Sequence, residues 1–242
     1  MAPLLLLSAT EFEVEPLTAA FEVVASAPEL PPGWRARRGY LEGKGCVALA
    51  TGVGKVNAAA LTALALTAFR PRAVLLVGIG GAYPGHDLQP GQAVFALSDT
   101  HVDTGVGHGA SWQGVESIGF PLLPPTARRA APTYNRIELA SGALAVARRL
   151  ALPAAHFGTA EAVTADAATA RLLTARHGVA VESMEGAAVA QVAAALHVPL
   201  YQVRGVSNLV GDRDKSNWRV ADAVTASCAA ARGAARLLPE VE

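Results

Sequence analysis

The sequence predicts an α/β fold: a single domain in three layers, α/β/α, around a mixed, largely parallel central sheet. Two observations carry this. Apolar runs of strand length recur near 4–8, 47–50, 73–77 and 200–206, continuous rather than alternating, as in strands covered on both faces. Ala- and Leu-rich stretches of helical length separate them.

Taken in order, run 4–8 is followed by Thr10 and the acids Glu11, Glu13 and Glu15. Strand 47–50 ends at Thr51-Gly52-Val53-Gly54-Lys55, a turn into a helix over 56–69 that Pro71 and Arg72 punctuate. Strand 73–77 ends in Gly78-Ile79-Gly80-Gly81, and 92–97 reads as a fourth strand. From 98 to 134 Gly, Pro, His and Trp accumulate without period, which suits a loop covering a site or an interface. A helix is expected over 138–150, a strand over 155–160, and a helix over 167–176 capped by Asp166. Strand 179–183, helix 186–196, strand 200–206 and helix 219–238 complete the chain. No linker or repeat divides it, so 1–242 is read as one domain.

The composition narrows the function classes. Lys and Arg number 20 and Asp and Glu 20, so net charge is zero and no nucleic-acid partner is indicated. Low charge favours self-association, and a homo-oligomer (dimer or higher) is expected. Cys46 and Cys228 lie far apart without a CxxC, which speaks against a disulfide scaffold or a structural zinc site. The four leucines near the start lack a basic flank and are too few to span a bilayer. A cytoplasmic protein with no membrane contact and no cofactor or metal is expected.

Chemistry concentrates between Val181 and Trp218, VESMEGAAVAQVAAALHVPLYQVRGVSNLVGDRDKSNW. Ligands of α/β sheets bind at the carboxyl ends of strands. A carboxylate at one such end, Glu185, and an amide at another, Asn208, suit a small ligand that is both polyol and heterocycle. Each residue also has an ordinary explanation. Glu185 suits a helix N-terminus, Glu13 is one of three acids near a helix start, Arg204 suits a strand-end salt bridge, and Asp212-Arg213-Asp214 a charged turn.

The Met184-Glu185 and Arg204-Gly205-Val206-Ser207-Asn208 segments resemble those of the nucleoside phosphorylase and nucleosidase superfamily, across nearly the whole chain. A nucleoside phosphorylase-like fold is therefore implied. The resemblance implies that Glu185 holds the ribose 2′- and 3′-hydroxyls, that Met184 packs on the sugar, and that Ser207 and Asn208 belong to the purine site. Ser8-Ala9-Thr10-Glu11-Phe12-Glu13-Val14 looks like the first strand end of the methylthioadenosine/adenosylhomocysteine nucleosidases, where the acid at the Glu13 position orients water and the arginine at the Arg204 position helps fix it. Gly78, Ile79, Val163 and Asp212 join the implied substrate-binding set. A serine that assists water in those enzymes corresponds to Ile79 here.

Hydrolysis is favoured over phosphorolysis, because a phosphate dianion calls for arginines or a helix N-terminus. The hexameric purine and uridine phosphorylases that the chain resembles carry one arginine before the Gly-rich third strand end and another after the first, whereas here Leu76-Val77 precedes Gly78 and residues 8–17 contain no arginine. Asn208 stands where adenine-specific relatives have Asp. An amide NH2 matches the N7 and O6 acceptors of a 6-oxopurine, which a carboxylate would repel. Asp212 is a second polar group that could assist at N7. Ser-Asn followed by Val-Gly-Asp-Arg-Asp and Trp, with Gly-Phe-Pro-Leu at 119–122, looks most like the futalosine hydrolases of menaquinone biosynthesis. The implied reaction is futalosine hydrolysis to hypoxanthine and dehypoxanthine futalosine. Another 6-oxopurine nucleosidase or phosphorylase, a methylthioadenosine/adenosylhomocysteine nucleosidase-like enzyme, and a nucleoside-binding protein without catalysis are the alternatives. A Rossmann dehydrogenase is disfavoured, since 78–81 lacks GxGxxG spacing.

Overall fold

The computed structural model describes residues 2–23 and 30–238, so residues 1, 24–29 and 239–242 of the expected domain lie outside the described residues. β1 (Leu4–Ser8), α1 (Glu15–Thr18) and the short β2 (Glu22–Val23) lead to β3 (Ala36–Leu41), β4 (Lys44–Ala50) and α2 (Lys55–Phe69). β5 (Ala73–Ala82) and β6 (Ala93–His101) follow, then a small hairpin, β7 (Gly105–Val106) and β8 (Gln113–Gly114). β9 (Arg136–Glu138), α3 (Ala143–Arg149), β10 (Ala154–Thr159) and α4 (Ala167–His177) come next. β11 (Val181–Ser183), α5 (Gly186–Ala195), β12 (Leu200–Leu209) and α6 (Val220–Leu237) end the order.

The main sheet is mixed, as the sequence suggested. β4, β1, β5 and β12 are parallel neighbours, and so are β6, β10 and β11. The two blocks join antiparallel, β12 to β6, and β3 and β9 are antiparallel as well. Largely parallel thus describes the blocks and not the joint. β11 pairs β5 besides β10, which closes β5, β12, β6, β10 and β11 into a ring.

Burial explains the uninterrupted leucines of β1. Leu4 and Leu6, with Leu75 and Val77 of β5, pack with Val146 and Ala147 of α3 and Ala231 and Ala235 of α6. Leu5 and Leu7, with Val74 and Leu76, pack with Leu61 and Ala65 of α2 and Ala188 and Val189 of α5. Each fully buried Leu contributes about 1.5–3 kcal/mol by leaving water. Asp166 caps α4 as expected, accepting from Thr169 N at 2.8 Å.

The differences from expectation are local. The helix expected over 138–150 is shorter: Glu138 ends β9, which pairs with β6 and buries Ile137, and α3 runs from Ala143 to Arg149. β3, in which Arg37 and Arg38 lie between the buried end residues Ala36 and Leu41, is an element absent from the sequence reading. β5 and β12 run on to Ala82 and Leu209, so the glycines at 78–81 and Asn208 itself lie within strands. No helix among the described residues is long and apolar enough to cross a membrane.

Candidate active site

Strand ends and helix starts converge on a cleft of about 250 Å³. Glu13 follows β1 and is 3% exposed. Its Oε2 accepts from Thr10 N and Thr10 Oγ1, both at 2.8 Å, and its Oε1 from Ile79 N at 3.1 Å. The Ile79 backbone thus serves the acid although its side chain has no polar group. A carboxylate has about four acceptor positions, so one remains for a ligand or water.

Glu185 ends the turn between β11 and α5 and is 4% exposed. Oε1 accepts from Gly54 N at 3.2 Å, in the turn where α2 begins, and Oε2 lies 3.3 Å from Arg204 Nη2. Burial raises the Glu185 pKa above its ordinary value, while Arg204 and the Gly54 amide oppose the rise and the nearby Glu13 charge adds to it. Arg204 is 1% exposed and also donates from Nη1 to Ile79 O at 3.3 Å. Gly78 lies behind these groups: a Cβ there would collide with Arg204 Nη1 and Glu13 Oε1.

At the other end, Asn208 Nδ2 donates to Leu209 O at 2.9 Å. Ser207 Oγ lies 2.7 Å from Asn208 Oδ1 and 3.1 Å from Gly80 O, and its one proton serves the shorter contact. The amide carbonyl is therefore engaged, and the second Nδ2 hydrogen is left over. Ile79, Val163, Met184, Arg204, Ser207 and Asn208 all line the cleft with Glu13 and Glu185.

Two expected residues do not line it. Gly78 acts only by lacking a side chain. Asp212 is turned into its own loop, accepting from Asp214 N and Asn217 Nδ2, each at 2.9 Å. That loop instead presents Trp218, whose Nε1 donates to Asp212 O at 3.2 Å. Trp218, Phe12 and Val53 give the cleft apolar lining, and Phe12 and Val53 are about half exposed at its mouth. Sequence reasoning named none of these three as site residues, nor Thr164 and Glu182. An acid on an otherwise apolar strand was the available signal for Glu182.

The segment 98–134 does not line this cleft. Part of it walls a neighbouring cavity with α4, where Trp112 meets His177 edge-on at 5.1 Å and Arg176 lies 5.0 Å from the Trp112 ring. The two cavities share Val163 and Thr164. Among the described residues no His, Cys, Asp and Glu cluster could hold a metal ion.

The phosphorylase superfamily model matches residues 3–241. The futalosine hydrolase of Thermus thermophilus is 38% identical over 205 residues, covering 83% of this chain and 84% of that protein. The 5'-methylthioadenosine/S-adenosylhomocysteine nucleosidase of Marinomonas sp. is 32% identical over 186 residues, 74% of this chain and 75% of that protein. The structure of a futalosine hydrolase mutant of Helicobacter pylori aligns with a TM-score of 0.81 over 98% of this chain and 100% of that one; at 18% identity this likeness shows the fold. With the match running nearly end to end, the chain belongs to the phosphorylase superfamily.

Proposed function

We propose that this protein hydrolyses the N-glycosidic bond of futalosine, releasing hypoxanthine and dehypoxanthine futalosine for menaquinone biosynthesis. The observation that carries the reading is one cleft holding a donor-fixed acid, Glu13, a second buried acid, Glu185, and an amide, Asn208, with a free donor. The identity to the Thermus thermophilus protein supports it.

In this reading Glu13 orients a water at the sugar C1′ and takes its proton as the C1′–O bond forms. The C1′–N9 bond breaks with its electron pair leaving on the purine. Glu185 accepts from the ribose hydroxyls and stabilises positive charge at the oxocarbenium-like transition state. Asn208 donates to the purine edge that gains charge; the departing base takes a proton from solvent, and Glu13 returns to solvent the proton it took from the nucleophilic water. Phosphorolysis is disfavoured because Arg204 is the one arginine lining the cleft among the described residues, and its guanidinium is engaged by Glu185 and Ile79 O. Phe12, Val53 and Trp218 are proposed to take the apolar part of the 5′ substituent.

We further read the chain as one domain, 1–242, in three α/β/α layers, and as a cytoplasmic homo-oligomer. A methylthioadenosine/adenosylhomocysteine nucleosidase activity is the second reading, favoured by the Marinomonas relative and opposed by Asn208. Incubating the protein with futalosine, inosine and methylthioadenosine, with and without phosphate, tests these. Futalosine should release hypoxanthine at a rate indifferent to phosphate. Formation of a sugar 1-phosphate, or preference for methylthioadenosine, would overturn the assignment.

A further inference from the structure

Three carboxylates line the cleft, and the hydrolysis above uses two, Glu13 and Glu185. The third, Glu182, has a position set by strand register. Gly81 of β5 pairs with Glu182 of β11 on one side and with Asn208 of β12 on the other. Residues in register on neighbouring strands project from the same face, and two strand spacings separate these backbones by about 10 Å. Gly81 adds no side chain between them: a Cβ there would stand 3.4 Å from Asn208 Nδ2 and 2.9 Å from Val210 Cγ2. The result is a flat-floored slot with an acid at one wall and an amide at the other.

We propose that Glu182 is a specificity-determining residue that accepts the N1–H of a 6-oxopurine, facing Asn208 across the base. The proposal rests on the 6-oxopurine reading of the site and names the second half of it. Glu182 is 6% exposed. Its Oε1 accepts from Thr164 N at 3.1 Å, and its Oε2 from Tyr83 OH at 2.7 Å and from the Thr164 hydroxyl. These donors are neutral, so they aim the carboxylate without cancelling its charge. Burial holds Tyr83 protonated far above the ordinary range, which keeps it a donor. Of about four acceptor positions, one on Oε1 is left. Hypoxanthine offers a donor at N1, which that position matches. Adenine offers a lone pair at N1, which the carboxylate repels. Asn208 reads the acceptors of the base and Glu182 its donor, so the pair recognises more than either alone.

Binding of the free bases to the full chain tests this without depending on the 5′ substituent. Calorimetry would compare hypoxanthine, 1-methylhypoxanthine and adenine on the wild type, Glu182→Gln and Asn208→Ala. The wild type should bind 1-methylhypoxanthine about a hundredfold more weakly than hypoxanthine, since the methyl removes the donor. Glu182→Gln should weaken hypoxanthine about tenfold and narrow the gap to the methylated base, because a charged acceptor becomes a neutral one. Asn208→Ala should weaken both oxopurines alike. Equal binding of the two oxopurines by the wild type overturns the proposal. So does a Glu182→Gln variant that weakens all three bases equally, the mark of an acid that only braces the Thr164 rim, or one that binds as the wild type does. Absence of hypoxanthine binding overturns it together with the base assignment. Hypoxanthine binding that depends on N1, without futalosine cleavage, would leave Glu182 standing and remove only the proposed substrate.

Discussion

At the scale of single residues, each cleft carboxylate is held by fixed donors, neutral at Glu13 and partly cationic at Glu185, and keeps acceptor capacity for a ligand. Glu185→Gln should keep the fold and lose roughly 2–4 kcal/mol of transition-state stabilisation, as for one preorganised electrostatic partner; kcat/KM against wild type measures it, and near-wild-type turnover would take Glu185 out of the chemistry. Burial raises the Glu185 pKa. A glutamate needed in its ionised form is then lost earlier on acidification, so the acid limb of kcat/KM should lie above the ordinary glutamate range, and Glu185→Gln should remove that limb. Asn208→Asp exchanges the spare donor for a charge facing O6. It should slow the 6-oxopurine reaction at neutral pH and recover partly as falling pH turns the acid into a donor. Rates of the variant on futalosine across pH decide this, and a flat ratio to wild type counts against Asn208 reading the base.

At the scale of elements, the site is assembled from turns that the sequence announces and from packing that it does not. Thr10 to Glu13, the turn into α2, the Gly78–Gly81 stretch, Met184-Glu185 and Ser207-Asn208 were all legible, because glycine and polar residues interrupt apolar runs there. What was hidden depends on register between distant strands. Glu182 acquires meaning only when β11 pairs β5, and Trp218 only when the Asp212 loop folds on itself. β3 was hidden for another reason: an edge-side strand half exposed to water carries arginines and reads as loop. Gly78 gives this scale its prediction. Gly78→Ala forces a methyl against Arg204 and Glu13, and overpacking of this kind costs about 1–3 kcal/mol. Thermal unfolding should show that modest loss, whereas turnover should fall far more, since both groups it displaces belong to the cleft. Wild-type activity in this variant would mean that Arg204 and Glu13 do not need their present geometry.

At the scale of the whole molecule, a buried acid outside the cleft makes one contribution to stability depend on pH. Asp99 on β6 is fully buried, and burial pushes its pKa up to about 6 although Thr159 and Gln202 donate to it at 2.8 and 3.1 Å. A carboxyl raised in the folded state stabilises fully only below its unfolded pKa, near 4, and that contribution is lost as pH climbs through 6. The loss is on the order of 3 kcal/mol. Asp99→Asn should abolish it, with Gln202 turning its unpartnered Oε1 toward the new amide. Urea midpoints of both proteins from pH 4 to 8 should therefore diverge between pH 4 and 6 and stay parallel above; parallel curves throughout would place the titration elsewhere. The closed ring has a dynamic consequence as well. Its seam is held by β11, three residues long, through the pairs Val181 with Ala82 and Glu182 with Gly81. A closure of two residue pairs should open before the longer ladders do, and the cleft lies across it. A purine gripped from β11 and β12 at once would act as a clasp on the seam. Amide exchange at Tyr83, which bonds Ala180 O there, should then slow on adding hypoxanthine, while exchange between β1 and β4 stays as it was.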